Sequence, residues 1–307
     1  MLPALAILAA ALCFSTTGTA QALAGVDASP LAVGAARIVV GGGILGLLAL
    51  ARRRSTPARA ASGGVVASRG SLAGLIALGA VGVLAYQPLF FLGTRDNGVA
   101  IGTVVALGSA PIATGIADAV RLRRAPSSRW MLATAIALAG VILVSGVTGG
   151  AVALTPGGLL ASAGAGMSYA LYTVCGKALI ERGWDSTRVM GTVFGVAAIA
   201  SAPVLLLAGS AWLLTPNGLA LAVWLGVVTT TIAYLLFGRG LARLSAVTVS
   251  TLTLAEPLAA TLLGLFVLHE QLTPVSAVGL TLIAVGLAVV STPSRRREGV
   301  PDAASPA

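Results

Sequence analysis

Long runs of apolar residues, separated by short polar stretches, make up most of the chain. An α-helix needs about 20 apolar residues to cross the hydrocarbon core of a bilayer, so each run predicts one membrane-spanning helix. The pattern therefore predicts an all-α integral membrane protein with ten transmembrane helices. The ten predicted spans cover residues 2–24, 31–51, 71–92, 98–119, 130–148, 157–179, 188–208, 218–238, 246–268 and 274–291.

Positively charged residues alternate from one predicted loop to the next. Seventeen of the 19 Lys and Arg residues lie in or beside the loops that follow the even-numbered spans, or in the C-terminal tail. Of the other two, Arg95 lies in an opposite loop and Arg37 lies within the second span. Positive residues resist translocation, so the rich side is predicted to be cytoplasmic. The chain is expected in the cell membrane with its N- and C-termini in the cytoplasm.

The composition excludes the ordinary soluble classes. Charged residues make up 9% of the chain and hydrophobic residues 57%, whereas soluble domains carry about 25% charged residues. A net charge of +10 would suggest nucleic acid as the partner of a soluble protein. Here the positive residues lie in short loops between apolar spans, so we expect the protein to lie in a lipid bilayer and not to bind nucleic acid.

Motifs of enzymes and metal sites are missing from the sequence. The Gly176–Lys177 pair is followed by Ala, and the first Gly of a phosphate-binding loop is replaced by Leu171. Cys13 and Cys175 lack CxxC spacing. His269 lacks the second His of a zinc protease. We therefore predict no enzyme activity, no metal and no cofactor.

The first span raises a question of processing. Residues 1–22 end in Ala-Gln-Ala, which is similar to a signal-peptidase site. The segment lacks the positive n-region of a signal peptide, and its apolar run is long, so we predict a retained first helix. Cleavage would instead leave nine spans and bring Asp27 to a free N-terminus.

The two halves of the chain share a pattern that predicts an internal repeat. Pro111 is followed after 29 residues by Gly140, and Pro257 is followed after 29 residues by Gly286. With five spans in each half, the second half would lie upside down relative to the first. Such inverted repeats have two nearly equivalent arrangements, which is the basis of alternating access. The predicted units are a first repeat (1–150), a second repeat (151–293) and a basic, disordered cytoplasmic tail (294–307).

These positions resemble the EamA type of the drug/metabolite transporter superfamily, over about residues 4–291. The motifs that carry the resemblance are Leu254–Leu258 (LAEPL), Glu270–Thr273 (EQLT), Gly279–Gly286, Ala161–Lys177 and Val33–Arg37. The first half departs from the second, because it has Ala110 in place of Glu256 and Arg124 in place of Glu270. The resemblance implies secondary transporters, often exporters of amino acids or other small metabolites, with a central cavity between the helices.

Two charged residues within the spans are the first candidates for a site. Charged groups inside a membrane are costly, and they mark functional sites by default. Glu256 in the ninth span could carry a coupling proton or bind a substrate ammonium, although a Glu that only joins helices is the alternative. Arg37 in the second span could bind a substrate carboxylate or pair with Glu256, or it could extend outward to the interface.

Uncharged residues complete the candidate site. Pro111 and Pro257 are predicted to break their helices, or to form static kinks. The polar candidates for the cavity lining, for which helix packing is the alternative role, are Tyr86, Gln87, Tyr169, Tyr172, Tyr234 and Thr17. Asp118, which precedes an arginine cluster, is predicted to form a salt bridge.

Together these features predict a secondary active transporter for a small amino acid-like or drug-like metabolite, which works by alternating access as an exporter. It would be coupled to protons or to exchange. A lipid flippase and a channel-like facilitator stay open as alternatives. The GxxxG spacing of Gly42–Gly46 and of Gly98–Gly102 is a weak signal for a homodimer.

Overall fold

The structure is a computed structural model that describes residues 2–55, 69–145, 154–269 and 273–292. Within these ranges every regular element is helical and no strand occurs, which confirms the predicted all-α class. Glu270 and the predicted tail at 294–307 lie outside the described residues. The α-helices are α1 (Leu2–Ala24), α2 (Pro30–Ser55), α3 (Arg69–Asn97), α4 (Val99–Leu122), α5 (Ser128–Val144), α6 (Pro156–Glu181), α7 (Ser186–Ala208), α8 (Pro216–Gly226), α9 (Ala233–Leu241), α10 (Ala246–Leu252), α11 (Ala255–Val267) and α12 (Pro274–Ser291).

Eight helical stretches of the described chain are long and apolar enough to cross a membrane. One of them, Pro216–Leu241, joins α8 and α9 through a π-helical segment at Val227–Ile232. Another, Ala246–Val267, contains α10 and α11. Helix α5 is a shorter apolar helix. Helix α6 has 26 residues, many of them small or polar, and it is not among the eight stretches. The chain is therefore a multi-pass membrane protein, as its hydropathy pattern predicts.

Three helices begin at Thr-Pro pairs, which explains why these pairs separate the apolar runs. Thr155, Thr215 and Thr273 are the N-cap residues of α6, α8 and α12. Each Thr hydroxyl accepts a hydrogen bond from a backbone N–H three residues later, at 3.1–3.2 Å. The Pro that follows has no N–H to satisfy and a φ suited to the first helical turn. The same dipeptide thus ends a loop and starts a helix.

Helices α2 and α7 cross at glycines, which allows their backbones to touch. A Cβ on Gly42 would lie 2.5 Å from the Phe194 carbonyl oxygen, and a Cβ on Gly46 would lie 3.2 Å from the Cα of Gly195. On α7, a Cβ on Gly191 would collide with the Leu45 carbonyl oxygen. The Gly42–Gly46 spacing, read as a signal for a homodimer, therefore serves a helix crossing within the chain. The homodimer itself stays a prediction.

Helices α5 and α12 form a second crossing of the same kind. A Cβ on Gly140 would lie 2.5 Å from the Gly279 carbonyl oxygen, and one on Gly279 would lie 2.7 Å from the Gly140 carbonyl oxygen. Gly286 faces the Ala133 carbonyl oxygen in the same way, at 2.7 Å. At both crossings, a residue later in one helix contacts a residue earlier in the other. Both pairs therefore run antiparallel.

The first and second halves are also joined by a polar contact at the end of α3. Asn97 is 1% exposed. Its side-chain oxygen accepts hydrogen bonds from the Thr155 backbone N–H (2.7 Å) and hydroxyl (3.0 Å). Its amide donates to the Thr155 carbonyl oxygen (3.2 Å). These three bonds replace most of the hydrogen bonds that the buried amide of Asn97 would make to water, and they hold the start of α6 against the end of α3.

Candidate functional site

A small cavity lies in the interior of the bundle, where helices of both halves meet. Its volume is about 60 Å³, and its lining includes six of the residues that the sequence singles out as candidates. These are Arg37, Tyr86, Tyr169, Tyr172, Tyr234 and Glu256. The rest of the lining is Phe14, Ala106, Leu107, Ala110, Ser250, Thr253 and Leu254. Charged and aromatic groups that lie far apart in the sequence therefore face one space.

A second, smaller cavity of about 30 Å³ adjoins the first and shares its Arg37 and three of its tyrosines. Gln87 lines this second cavity rather than the first. Thr17 lines neither of them. Its hydroxyl donates to the Phe14 carbonyl oxygen of its own helix at 2.6 Å. The structure thus does not bring Thr17 into the candidate site.

Glu256 lies where the ninth predicted span is interrupted. Helix α10 ends at Leu252, and α11 begins at Ala255, so Glu256 is in the first turn of a new helix. The positive end of a helix dipole favours a carboxylate at that position. The Glu256 backbone N–H donates to the Thr253 carbonyl oxygen at 2.9 Å, which bridges the interruption. Among the described residues, the Glu256 side chain makes no hydrogen bond and no ion pair within 4.0 Å, so its carboxyl group is available to a ligand.

Arg37 is held by the π-helical segment of the eighth span. Its Nε donates to the Thr230 hydroxyl at 3.0 Å, and its Nη2 donates to the Thr229 carbonyl oxygen at 3.1 Å. A π-helical turn widens the hydrogen-bond spacing of a helix and is frequent at functional sites. Here it exposes a carbonyl oxygen that a guanidinium can reach. Arg37 therefore neither extends to the interface nor forms an ion pair with Glu256 in this conformation.

Three of the four tyrosines that line the cavity form a hydrogen-bonded aromatic cluster. The Tyr172 and Tyr234 hydroxyls lie 3.1 Å apart, and the Tyr169 hydroxyl lies 3.0 Å from the Thr253 hydroxyl. The ring centroids of Phe14 and Tyr234 are 5.1 Å apart. These rings are buried, and the hydroxyl contacts fix their orientation. Ring faces beside a carboxylate form a surface that suits a cationic ligand.

Comparisons with known proteins agree with this architecture. The model of the EamA-like transporter family matches residues 1–146 and again residues 156–292. The Uncharacterized transporter YwfM of Bacillus subtilis (strain 168) is 38% identical over 292 residues, which are 95% of this chain and 94% of that protein. The Uncharacterized transporter YdeK of the same organism is 28% identical over 290 residues, or 91% of each chain. The chain belongs to the EamA-like transporter family.

A solved crystal structure shares the fold. It superposes with a TM-score of 0.75 at 21% sequence identity and covers 94% of this chain and 96% of its own. At that identity the likeness concerns the fold alone. The family membership confirms the predicted EamA resemblance and makes the chain a transporter of the drug/metabolite superfamily.

The two prolines of this EamA transporter have different local structures. Helix α4 continues through Pro111, although Pro lacks the N–H that would bond to the Leu107 carbonyl group. The expected helix break does not occur there. In the second half the interruption comes at Thr253–Leu254, and Pro257 lies in the first turn of α11, where a missing N–H costs nothing. Leu107 and Thr253, the residues four positions before each Pro, both line the cavity.

Several lining residues were missed at the sequence level. Phe14, Ser250 and Thr253 line the cavity beside the candidates that were named. Phe14 lies one helical turn before Thr17, so the first span contributes the aromatic residue rather than the hydroxyl. Ser250 and Thr253 precede Glu256 by six and three residues. The three-residue spacing from Glu256 is a signal that would have found Thr253, whereas Ser250, six residues before Glu256, has no such signal.

Charged residues outside the cavity form a network at the ends of α4, α6 and α9. Arg121 contacts Asp118 at 2.9 Å and Glu181 at 2.5 Å, and Lys177 donates to the Leu241 carbonyl oxygen at 2.9 Å. The salt bridge predicted for Asp118 is therefore confirmed. Asp118 is 4% exposed, so its charge is compensated inside the protein rather than by water. The network joins helices of both halves on one side of the bundle.

The anchoring of Arg37 leads to a prediction on stability. Lys keeps the positive charge of Arg but lacks its planar fork, so it cannot hold the Thr230 hydroxyl and the Thr229 carbonyl group together. Losing one charged hydrogen bond costs about 1.5–3 kcal/mol. We expect Arg37→Lys to lower the apparent Tm of the purified protein in detergent by several degrees. Arg95→Lys is the matched control, because Arg95 is exposed and, within the described part of the chain, forms an ion pair only with its neighbour Asp96. Equal melting of both variants would contradict the anchoring role of Arg37.

Proposed function

We propose that this protein is a secondary active transporter that moves a small metabolite with a protonated amino group, amino acid-like or drug-like, across the cytoplasmic membrane. It works by alternating access as an exporter, coupled to protons or to exchange. The observation that carries this proposal is the carboxyl group of Glu256, which has no hydrogen bond or ion pair among the described residues and lines a cavity together with aromatic rings. A carboxylate and ring faces together recognise an ammonium group.

The size of the cavity is consistent with a closed conformation. Its volume is about 60 Å³, whereas sites for small molecules measure about 300–1,000 Å³. A space of this size holds a few water molecules. Transport of a metabolite would therefore require the helices around the cavity to move apart, which is the motion that alternating access supplies.

Reciprocal contacts support two inverted repeats. Gly42 faces Phe194 and Ala198, while Gly191 faces Leu45 and Ala49. On α2 the contacts involve residues 42, 45 and 49, and on α7 they involve residues 191, 194 and 198. The two sets differ by a constant 149, so each helix contacts the other through equivalent residues.

The crossing of α5 and α12 repeats this relation. Gly140 faces Gly279 and Ile283, and Gly286 faces Ala133 and Ala137, with a constant shift of 146. Equivalent helices that cross antiparallel are related by a two-fold axis in the membrane plane, as inverted repeats require. Two separate family matches, on residues 1–146 and 156–292, support the proposal of two repeats.

We further infer a topology of ten spans with both termini in the cytoplasm. The eight apolar stretches and the helices α5 and α6 supply the ten. The alternation of positive residues between loops supports the orientation. The count includes α1, which packs on the helices of the eighth and ninth predicted spans.

The proposal is tested by comparing the medium of cells that express the protein with the medium of cells that carry an empty vector. We expect one class of amino-containing metabolites to accumulate outside only when the protein is present. Purified protein in liposomes should then move that metabolite when a pH gradient or an opposing metabolite gradient is applied. Flux that follows only the gradient of the metabolite itself would favour a channel-like facilitator. Movement of labelled lipid between leaflets, without solute flux, would favour a flippase.

A further inference from the structure

A large groove lies on the outside of the bundle, between α2, α3 and α7. Its volume is about 890 Å³, and its lining is mainly apolar. Leu47 and Ile199 on its walls are 67% and 77% exposed. It shares no lining residue with either of the two central cavities. In a membrane protein, an exposed apolar groove between membrane helices is open to lipid rather than to water.

The length of the groove matches one leaflet of a bilayer. Along α7 it extends from Arg188 to Ile199, which at a rise of about 1.5 Å per residue corresponds to about 16 Å. The hydrocarbon core of a bilayer is about 30 Å thick, so this is about half of it. A groove of this length suits an acyl chain from a single leaflet and ends near the middle of the membrane.

One end of the groove carries a cationic group next to an aromatic ring. The Arg188 guanidinium carbon lies 4.1 Å from the ring centroid of Trp184, and both residues line the groove. Within the described ranges, the Arg188 side chain forms no ion pair and no hydrogen bond. The nearby Asp185 carboxylate is otherwise engaged, since it caps α7 and lies 3.9 Å from Arg52. The N–H groups of Arg188 are therefore available to an acceptor outside the protein.

We propose that this groove binds an anionic phospholipid. One acyl chain lies along α2 and α7, between Leu47 and Ile199, and the phosphate accepts hydrogen bonds from Arg188. The Trp184 ring holds the guanidinium at the level of the head group, where Trp residues are favoured at membrane interfaces. A phosphate is the acceptor that the planar fork of Arg fits best. The lipid site is separate from the solute cavity and does not depend on the proposed substrate.

The test uses the fluorescence of Trp184 in vesicles that contain brominated lipids, which quench a nearby Trp. In a chain with Trp130, Trp212 and Trp224 replaced by Phe, Trp184 reports on the groove alone. We compare brominated phosphatidylglycerol, which is anionic, with brominated phosphatidylcholine, which is zwitterionic, each diluted in unbrominated phosphatidylcholine. One guanidinium near the surface should favour the anionic lipid by about fivefold in half-quenching concentration. As a control, a chain that keeps only Trp224, which is 44% exposed and does not line the groove, should show no preference between the two brominated lipids.

Two variants separate the head group from the acyl chain. Arg188→Gln should remove the preference, so that phosphatidylglycerol quenches Trp184 no more strongly than phosphatidylcholine does. Gly43→Leu should weaken quenching by both lipids, because a Cβ on Gly43 meets open space in the groove. Equal quenching of Trp184 by both lipids, or a preference that survives Arg188→Gln, would overturn the proposal.

A second measurement avoids the Trp replacements. In native mass spectrometry from mild detergent, the otherwise unaltered chain should retain phosphatidylglycerol more than phosphatidylcholine by a similar factor, and Arg188→Gln should lose this difference. Equal retention of the two lipids by the unaltered chain would also overturn the proposal.

Discussion

Replacing Glu256 with Gln is expected to reduce gradient-driven transport by about 10- to 100-fold. The amide of Gln has almost the same size as the carboxyl group, so the packing around α11 should stay intact. The substitution removes the negative charge and the capacity to bind a proton or an ammonium group. A charged hydrogen bond contributes about 1.5–3 kcal/mol, and each 1.4 kcal/mol is about tenfold in an equilibrium constant. The assay is export of the metabolite identified in whole cells, at equal amounts of protein in the membrane.

A matched pair of variants makes the result for Glu256 interpretable. Asp27→Asn removes the same charge from an exposed position between α1 and α2, and export should not change. Glu256→Asp keeps the charge but shortens the side chain, so partial export should return. If Glu256→Gln exported the metabolite at the wild-type rate, the proposed roles of Glu256 in coupling and in ammonium binding would both be wrong. The transporter assignment from the family would stand, because it rests on the sequence match and not on this residue.

Gly42→Ala is expected to destabilise the protein strongly, whereas Gly43→Ala should have almost no effect. A Cβ on Gly42 would lie 2.5 Å from the Phe194 carbonyl oxygen, and a Cβ on Gly43 has nothing within 4 Å. Relief of the collision at Gly42 requires α2 and α7 to move apart. Overpacking of this kind costs about 1–3 kcal/mol, which is a large part of the stability of a protein.

The measurement is the fraction of monodisperse protein after detergent extraction, together with the apparent Tm. Because the two glycines are neighbours, the variants share helix propensity, hydropathy and expression conditions. Gly191→Ala, on the opposite side of the crossing, should resemble Gly42→Ala, because its Cβ would meet the Leu45 carbonyl group. If Gly42→Ala and Gly43→Ala behaved alike, the close crossing of α2 and α7 would be wrong.

Much of the architecture could be predicted from local sequence. Apolar length determines whether a segment can cross the bilayer, and every predicted span contains a described helix. The helix starts at the Thr-Pro pairs are also a local property, because capping depends on only a few consecutive residues. Family membership followed from motifs in both halves. Glu256 and Arg37 could be found as candidates because charged residues are rare within membrane spans.

The local conformation of each span was less predictable. Nothing in Val227–Ile232 marks a π-helical segment, since the threonine side chains and the Arg37 contacts stabilise it together. Pro111 and Pro257 stand at matching places in the proposed repeats, yet only the second lies at an interrupted helix. A backbone N–H is absent at both prolines, whereas the surrounding helices determine whether the helix is interrupted.

The sequence by itself thus determined the membrane class, the positions of the apolar helices, the family and the two charged candidates. The tertiary structure decided that six candidates share one cavity, that Gln87 and Thr17 do not line it, and that Gly42 and Gly46 serve a crossing within the chain. The reason is physical. Hydropathy and capping are properties of neighbouring residues, whereas a cavity and a crossing depend on which helix faces meet, and that choice is made by contacts between residues far apart in the chain.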